Sequence, residues 1–323
     1  MKIAIGIDIG GTNTVVGVID ENGSVLNKIK IKTKSQKSAK LFFKLLYEKI
    51  NDLTKDFSDF ELLGIGIGAP NGNHFTGEII SPPNLNWPTI HVPSIFKKYT
   101  DLKIILTNDA NSAALGEKKF GIASKIKNFV LITLGTGLGS GIFVNNRLVY
   151  GNRGFGGEMG HISINPKGRK CNCGKLGCLE MYVSAKGITE TVKKFKNSQP
   201  DNQLINELLY NASLKGINGN VSGRLIDKAY DNGDPVAIKI YDYTAKKLGY
   251  SLSQVATLLE PEAFIFYGGI SYAGDRILIP TKKYFNQNLI PFQRAKIKLL
   301  LSGLSDGNAG ILGAASLIFN ETN

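Results

Sequence analysis

Cysteine is scarce in this chain. Three occur in 323 residues, all between Cys171 and Cys178. An odd, clustered set excludes a disulfide framework and suits a reducing compartment, so a cytoplasmic protein is expected. Long apolar runs are missing too. Met1 to Ile9 is apolar but contains Asp8, and it falls short of a signal h-region or a membrane span. No low-complexity tract or linker breaks the chain. Acidic residues are outnumbered, 26 against 39 basic, for a formal net charge of +13. The lysines are spread widely, and the one dense run, from Lys28 to Lys44, has no aromatic residue before Phe42-Phe43 at its end, so it reads as a solvated basic face and not a nucleic-acid patch. Such a balance suits anionic substrates through long-range steering. Neither common phosphate fingerprint is present. No GK[ST] follows a glycine loop, and Gly10-Gly11 opens a strand instead of a helix, which excludes a Walker A loop and a Rossmann turn.

What remains is an ordinary globular composition, 42% hydrophobic and 20% charged, in a chain long enough for two domains. Ile3 to Ile9 and Thr14 to Ile19 read as strands joined by Gly10-Gly11-Thr12-Asn13, and Val25 to Ile31 as a third strand of an antiparallel meander. Ser38 to Asp56 carries apolar residues at helical spacing. Leu62 to Ala69 reads as a strand whose Gly64, Gly66 and Gly68 admit another backbone or a ligand. Asn71 to Pro93 holds too many breakers for a helix and is expected to form a hairpin and an ordered loop. Lys103 to Thr107 is a strand and Ala110 to Phe120 a helix, which puts Asn108-Asp109 at the strand-to-helix edge where open α/β sheets bind ligands.

Asn128 to Leu134 is a strand, Gly135 to Ser140 a glycine loop, and Gly141 to Val144 a return strand. This repeats the opening unit, and the duplication predicts two similar α/β domains, each offering one glycine hairpin. Helices are expected over Ser184 to Lys196, Asn202 to Asn211, Gly223 to Tyr230 and Asp234 to Leu259. Ala263 to Tyr267 is a buried strand leading into Gly268-Gly269, Ile297 to Leu301 a last strand, and Asp306 to Phe319 a closing helix.

Glycine turns leave backbone N–H groups open to phosphate oxygens, and Thr12 and Thr136 add hydroxyls. Two such hairpins and the Gly268-Gly269 pair point to a nucleotide. Asp8, beside the first turn, can hold Mg2+ directly or through water, or can simply cap the turn. Asp109 can take a proton from an acceptor hydroxyl, as phosphoryl transfer needs, or can be a helix N-cap.

Between Gly156 and Glu180 lie the three cysteines, spaced C-x-C-x4-C, with His161 upstream. Cys171, Cys173, Cys178 and His161 make a Cys3His set, a usual closed zinc shell; the alternative is three separate thiols and a core histidine. Glu158 and Glu180 flank the segment, and each carboxylate can accept two hydroxyl hydrogen bonds, as a vicinal diol asks. With one ring nitrogen of His161 on zinc, the other N–H is directed and can donate to a sugar oxygen.

Taken together, these residues resemble the ROK family (repressors, open reading frames and sugar kinases) of the actin-like ATPase and hexokinase superfamily, over nearly the whole chain. Asp8-Ile9-Gly10-Gly11-Thr12 resembles the first phosphate motif, Leu134 to Gly141, with Gly135, Thr136 and Gly137, the second, and Gly268-Gly269 the adenosine-contacting turn. Asn108-Asp109-Ala110-Asn111 resembles the catalytic segment, with Asp109 as base and Asn108 as sugar ligand. Glu158 to His161 and Cys171 to Glu180 resemble the family signature, which carries zinc on the histidine and three cysteines. Ser81-Pro82-Pro83-Asn84-Leu85 is similar to a stretch of the glucokinases that brings Asn84 near the sugar.

The resemblance implies a two-domain actin-like ATPase or hexokinase-type α/β fold with an active-site cleft between the domains. Residues 1–119 are expected to form a small domain on which helix 306–323 packs back, and 120–305 a larger domain with the zinc loop. It implies ATP-dependent 6-phosphorylation of a hexose, most often glucose, with Mg2+ accompanying the nucleotide, structural Zn2+ and a homodimer. Sister kinases for N-acetylglucosamine, N-acetylmannosamine, fructose or allose share every motif. Sugar-sensing repressors share the fold but carry a helix-turn-helix domain before the first phosphate motif, whereas Asp8 stands eight residues into this chain.

Overall fold

The computed structural model describes every residue except 37, 58, 83, 84, 215–218, 305, 306, 322 and 323. The elements run β1 (Lys2–Ile9), β2 (Asn13–Asp20), β3 (Val25–Lys32), α1 (Ala39–Thr54), β4 (Glu61–Ala69), β5 (Gly72–Asn73), β6 (Glu78–Ile79), β7 (Ile90–His91), α2 (Val92–Phe96), β8 (Lys103–Asn108) and α3 (Asp109–Phe120). They continue with β9 (Phe129–Leu134), β10 (Leu138–Val144), β11 (Arg147–Leu148), α4 (Glu180–Val183), α5 (Ala185–Ser198), α6 (Gln203–Leu214), α7 (Gly223–Asp231), α8 (Pro235–Leu259), β12 (Ala263–Tyr267), α9 (Asp275–Asn288), β13 (Lys298–Leu301) and α10 (Ala309–Glu321).

The duplication read from the glycine hairpins is a duplication of topology. One five-stranded sheet has the order β3-β2-β1-β4-β8 and another β11-β10-β9-β12-β13. In the first, β1 and β2 pair antiparallel through Ile5↔Val18 and Ile7↔Val16, while β4 and β8 add in parallel. The repeated sheet order agrees with the two-domain actin-like ATPase fold that the sequence resemblance implies.

Two compact units divide the chain: Met1–Leu131 with Gly141–Gly157 and Ser302–Asn323, and Ile132–Ser140 with Glu158–Leu301. The first unit thus runs past residue 119 and takes in α10. Its core buries Ile5, Ile7, Val16, Val18, Phe42, Phe43, Ile65, Ile67 and Phe96 between the first sheet and α1 and α2. On the other face, α10 lies directly on the strands. A Cβ on Gly6 would collide with the Ile311 carbonyl, and one on Gly66 with that of Ala314. The close backbone approach expected of the glycine-rich strand is therefore α10 itself. Ile188, Val192, Leu208, Ile226, Ile240 and Ile277 build the core of the second unit from α5 to α9.

Several boundaries differ from expectation. Asn71 to Pro93 forms a small sheet, β5-β6-β7, followed by a short helix, α2, at whose start Pro93 stands; a proline in the first helical turn lacks only an N–H that would be unbonded anyway. Leu138, Gly139 and Ser140 belong to strand β10, so the second glycine turn is only Gly135 to Gly137. α9 was not expected, since Pro280 lies inside it. The closing helix is described from Ala309, with 305 and 306 outside the described residues. Among the described residues no helix is long and apolar enough to cross a membrane.

Candidate active site

In the first unit, the turn between β1 and β2 is held from behind. Gly10 N donates to Asn13 O at 3.0 Å, Thr33 N to Thr12 O at 3.0 Å, and the Thr33 hydroxyl to Gly10 O at 2.7 Å. Thr12 itself is exposed. The turn's carbonyls are engaged on the protein side, as suits a loop that offers its N–H groups outward.

Asp109 and Asn108 settle which of the pair caps the helix. Asn108 has extended dihedrals, and its Oδ1 accepts from Ala110 N at 2.8 Å and Asn111 N at 3.4 Å, so Asn108 is the N-cap of α3. Asp109 is the first helical residue, and Ala110 N reaches its Oδ1 at 2.9 Å. Capping therefore does not account for Asp109. Asp109 as a whole residue keeps accessible surface, while its carboxylate is crowded by protein atoms. Crowding raises its pKa above the ordinary carboxylate value, against hydrogen bonds from the local backbone and from Asn108.

Asp8 lies in the same unit, near the end of β1, with Gly310 of α10 against its carboxyl. Burial, and secondly repulsion from Asp109, push its pKa up to about 7. An acid raised by burial and by a neighbouring acid is a place for a cation, which would hold Asp8 ionised. Asn84 lies outside the described residues.

In the second unit, Gly135 N donates to Gly137 O at 3.0 Å, closing the turn between β9 and β10, and Thr136 is exposed. Ala185 N donates to Gly135 O at 2.9 Å. Gly268-Gly269 follows β12, and Ile270 N donates to Leu134 O at 3.1 Å, which ties this glycine pair to the end of β9. Both glycine features line one cavity of about 380 Å³, with Arg224, Asp227, Ile188 and Tyr272. None of these last four carries a sequence signal. Asp227 is fixed by the Tyr241 hydroxyl, which donates to its Oδ1 at 2.6 Å.

The cysteine segment gathers as its spacing predicts. Ligand atoms of His161, Cys171, Cys173 and Cys178 all lie within 4.8 Å of one another. Cys171 Sγ is 3.7 Å from His161 Nδ1, and Cys173 Sγ is 3.6 Å from Cys178 Sγ. Around a tetrahedral zinc, bonds of roughly 2.0–2.3 Å give edges of about 3.5–3.8 Å, so this donor set fits zinc. Burial, with hydrogen bonds among the thiols, pushes Cys178 up to about 12 and raises Cys171, while Cys173 is lowered; a bound cation would hold all three as thiolates.

His161 turns Nδ1 to the cysteines and Nε2 toward Glu158, whose Oε2 is 3.9 Å away. That orientation, which no spacing could give, leaves Nε2 as the outward donor. Arg169, not singled out by its sequence, anchors the segment. Its guanidinium donates to Met181 O at 2.7 Å, Gly187 O at 2.8 Å and Thr191 Oγ1 at 3.0 Å, over the Tyr182 ring. Glu180 begins α4, and its Oε2 accepts from Leu138 N at 3.0 Å.

A pair of α/β units with repeated glycine hairpins, a carboxylate at a strand-to-helix edge and a Cys3His cluster define a nucleotide-dependent class within the actin-like ATPase fold. More narrowly, the chain belongs to the ROK family, whose model matches residues 4–321. It is 33% identical to the glucokinase of Halalkalibacterium halodurans over 99% of this chain and 96% of that one. The crystal structure of a ROK family glucokinase from Streptomyces griseus in complex with glucose and AMPPNP is similar with a TM-score of 0.78 and 34% identity, covering 98% of each chain. The xylose repressor of Caldicellulosiruptor bescii is 28% identical over 98% of this chain and 78% of its own length.

Proposed function

We propose that this protein is a sugar kinase that transfers the γ-phosphoryl group of ATP to the 6-hydroxyl of glucose. The observation that carries the reading is similarity over 98% of both chains to a glucokinase solved with glucose and AMPPNP, in a chain whose Asp109 is released from capping by Asn108. In the transfer, the sugar O6 forms a bond to the γ-phosphorus, the bond from that phosphorus to the bridging oxygen breaks, and ADP leaves. Asp109 orients the hydroxyl and accepts its proton. A carboxylate whose pKa is already raised suits that role.

The other assignments follow the family resemblance. Gly10, Gly11 and Thr12 of the first unit, and Gly135, Thr136 and Gly137 of the second, take phosphate oxygens. The 380 Å³ cavity beside Gly269 takes the nucleoside. Asn108, Glu158, His161 and Glu180 take sugar hydroxyls. Asp8 would hold Mg2+, which neutralises phosphate charge when bound. His161 and the three cysteines would hold Zn2+, whose closed shell orders the segment and activates no water. Three thiolate ligands suit the cytoplasm, and a homodimer rests on the resemblance alone.

An ADP-release assay across glucose, N-acetylglucosamine, mannose, N-acetylmannosamine and fructose tests the reading. Glucose should give the highest kcat/KM. A preference for an N-acetylated sugar or fructose would move the protein to a sister kinase, and no turnover with any sugar would remove the kinase reading.

A further inference from the structure

We propose that Glu180 is a positioning residue that joins two binding sites: one carboxylate oxygen holds the second glycine turn, while the other serves the hexose. The proposal rests on the kinase reading above, and all the groups it uses lie in one unit.

Leu138 N donates to Glu180 Oε2 at 3.0 Å, immediately after the turn Gly135 to Gly137. This is a charge-assisted bond, stronger than a neutral one, and it fixes the first residue of β10. The fit around it is close. A Cβ on Gly137 would lie 2.6 Å from Glu180 Oε2, and the other neighbour it would meet within 4 Å is the carboxyl carbon of Glu180 at 3.5 Å. The Glu180 carboxylate alone thus requires glycine at 137.

Glu180 is in turn held by the metal-ligand segment. It follows Cys178 and Leu179, and Leu179 N donates to Ile162 O at 2.9 Å. Beyond the other end of α4, the first residue of α5 holds the same turn, where Ala185 N donates to Gly135 O at 2.9 Å. A second strut runs from the His161 side, where Met159 N donates to Ser140 Oγ at 3.3 Å.

A carboxylate has about four lone-pair sites, and Leu138 uses one. A sugar hydroxyl on Oε1 restrains the same rigid group that Leu138 needs on Oε2. Hexose binding then favours the ordered turn, and by linkage nucleotide binding favours the hexose by the same factor. If Glu180 were only a sugar ligand, changes on one side would not be felt on the other.

Calorimetric titration of glucose alone and of AMPPNP alone, on the zinc-loaded full chain and three variants, tests this. Glu180→Gln keeps a carbonyl acceptor for Leu138 N, so AMPPNP affinity should stay within about twofold of wild type while glucose affinity falls. Glu180→Ala should lose roughly tenfold in AMPPNP affinity with no sugar present, the worth of one such bond. Gly137→Ala, a change in the nucleotide turn, should weaken glucose about threefold to tenfold with no nucleotide present, because its methyl displaces the carboxylate. Wild-type AMPPNP affinity in Glu180→Ala, or wild-type glucose affinity in Gly137→Ala, would overturn the proposal. Should Glu180→Ala fail to fold, Gly137→Ala decides alone. Wild-type protein that binds no nucleotide would remove the kinase reading and this proposal with it, whereas intact nucleotide binding with uncoupled variants removes only the proposal.

Discussion

Replacing Asp8 by Asn should make the metal-free protein more stable above neutral pH and, at the same time, remove most of its turnover. The Asp8 carboxyl rises from an ordinary 3.8 to about 7 in the fold, through burial first and the Asp109 charge second. An acid raised in this way keeps its proton in the folded chain at a pH where the unfolded chain has lost it. Its stabilising contribution is complete below the unfolded value and is lost as pH rises through about 7. A shift of roughly three units is worth about 4 kcal/mol. The first turn of α10, lying against the carboxyl, favours the ionised form by up to about 1 kcal/mol, which leaves about 3. Part of that is already lost at about pH 5, so from there to about pH 8 the Asn variant should gain roughly 2 kcal/mol on wild type. Trp87 is the only tryptophan, and it packs on Phe42 and Phe43 with ring centroids 5.1 and 5.9 Å apart, in the same unit as Asp8. Its fluorescence in a urea titration therefore follows that unit, and a two-unit chain need not be treated as one transition. A difference between variant and wild type that does not change with pH would refute the reasoning. In a second arm, Mg2+ with AMPPNP should stabilise wild type at about pH 8 and leave Asp8→Asn nearly unmoved.

Asp109→Asn should retain sugar and nucleotide binding but lower kcat by about two to four orders of magnitude, the usual worth of a positioned base, as measured by ADP release; near-normal turnover would take Asp109 out of its role. Metal analysis of purified protein should find about one zinc per chain, and protein wholly without zinc would defeat the reading of the cysteine segment. Cys173→Ser should weaken glucose binding through His161 while Arg169 keeps the rest of the segment in place, so circular dichroism should change little as glucose affinity falls.

Much of the frame was legible because local signals agreed with tertiary ones. Ile3 to Ile9 is apolar enough to be a central strand, and Gly10-Gly11 ends it where it ends. The Cys3His spacing predicted a cluster that the fold assembles. Legibility failed where a residue's role depends on a distant partner. Glu180 was read as a sugar ligand alone because nothing near it in sequence announces Leu138, 42 residues earlier. Asn108-Asp109 left the cap open, since either side chain can do it and only the dihedrals of Asn108 decide. Gly139 made the start of β10 look like loop, although its N–H is taken by Thr133 Oγ1 at 3.1 Å. Pro280 hid α9, whose packing on α8 outweighs the proline's cost.

The seat of α10 on β1 and β4 bears on the order in which the protein matures during synthesis. β1 leaves the ribosome long before α10, and the face that carries Gly6 and Gly66 has no cover until Ala309 and the residues after it emerge. All of the second unit, ending at Leu301, is made before then. The nascent first sheet waits with one glycine-lined face uncovered, and the second unit, although begun later, has all of its residues first.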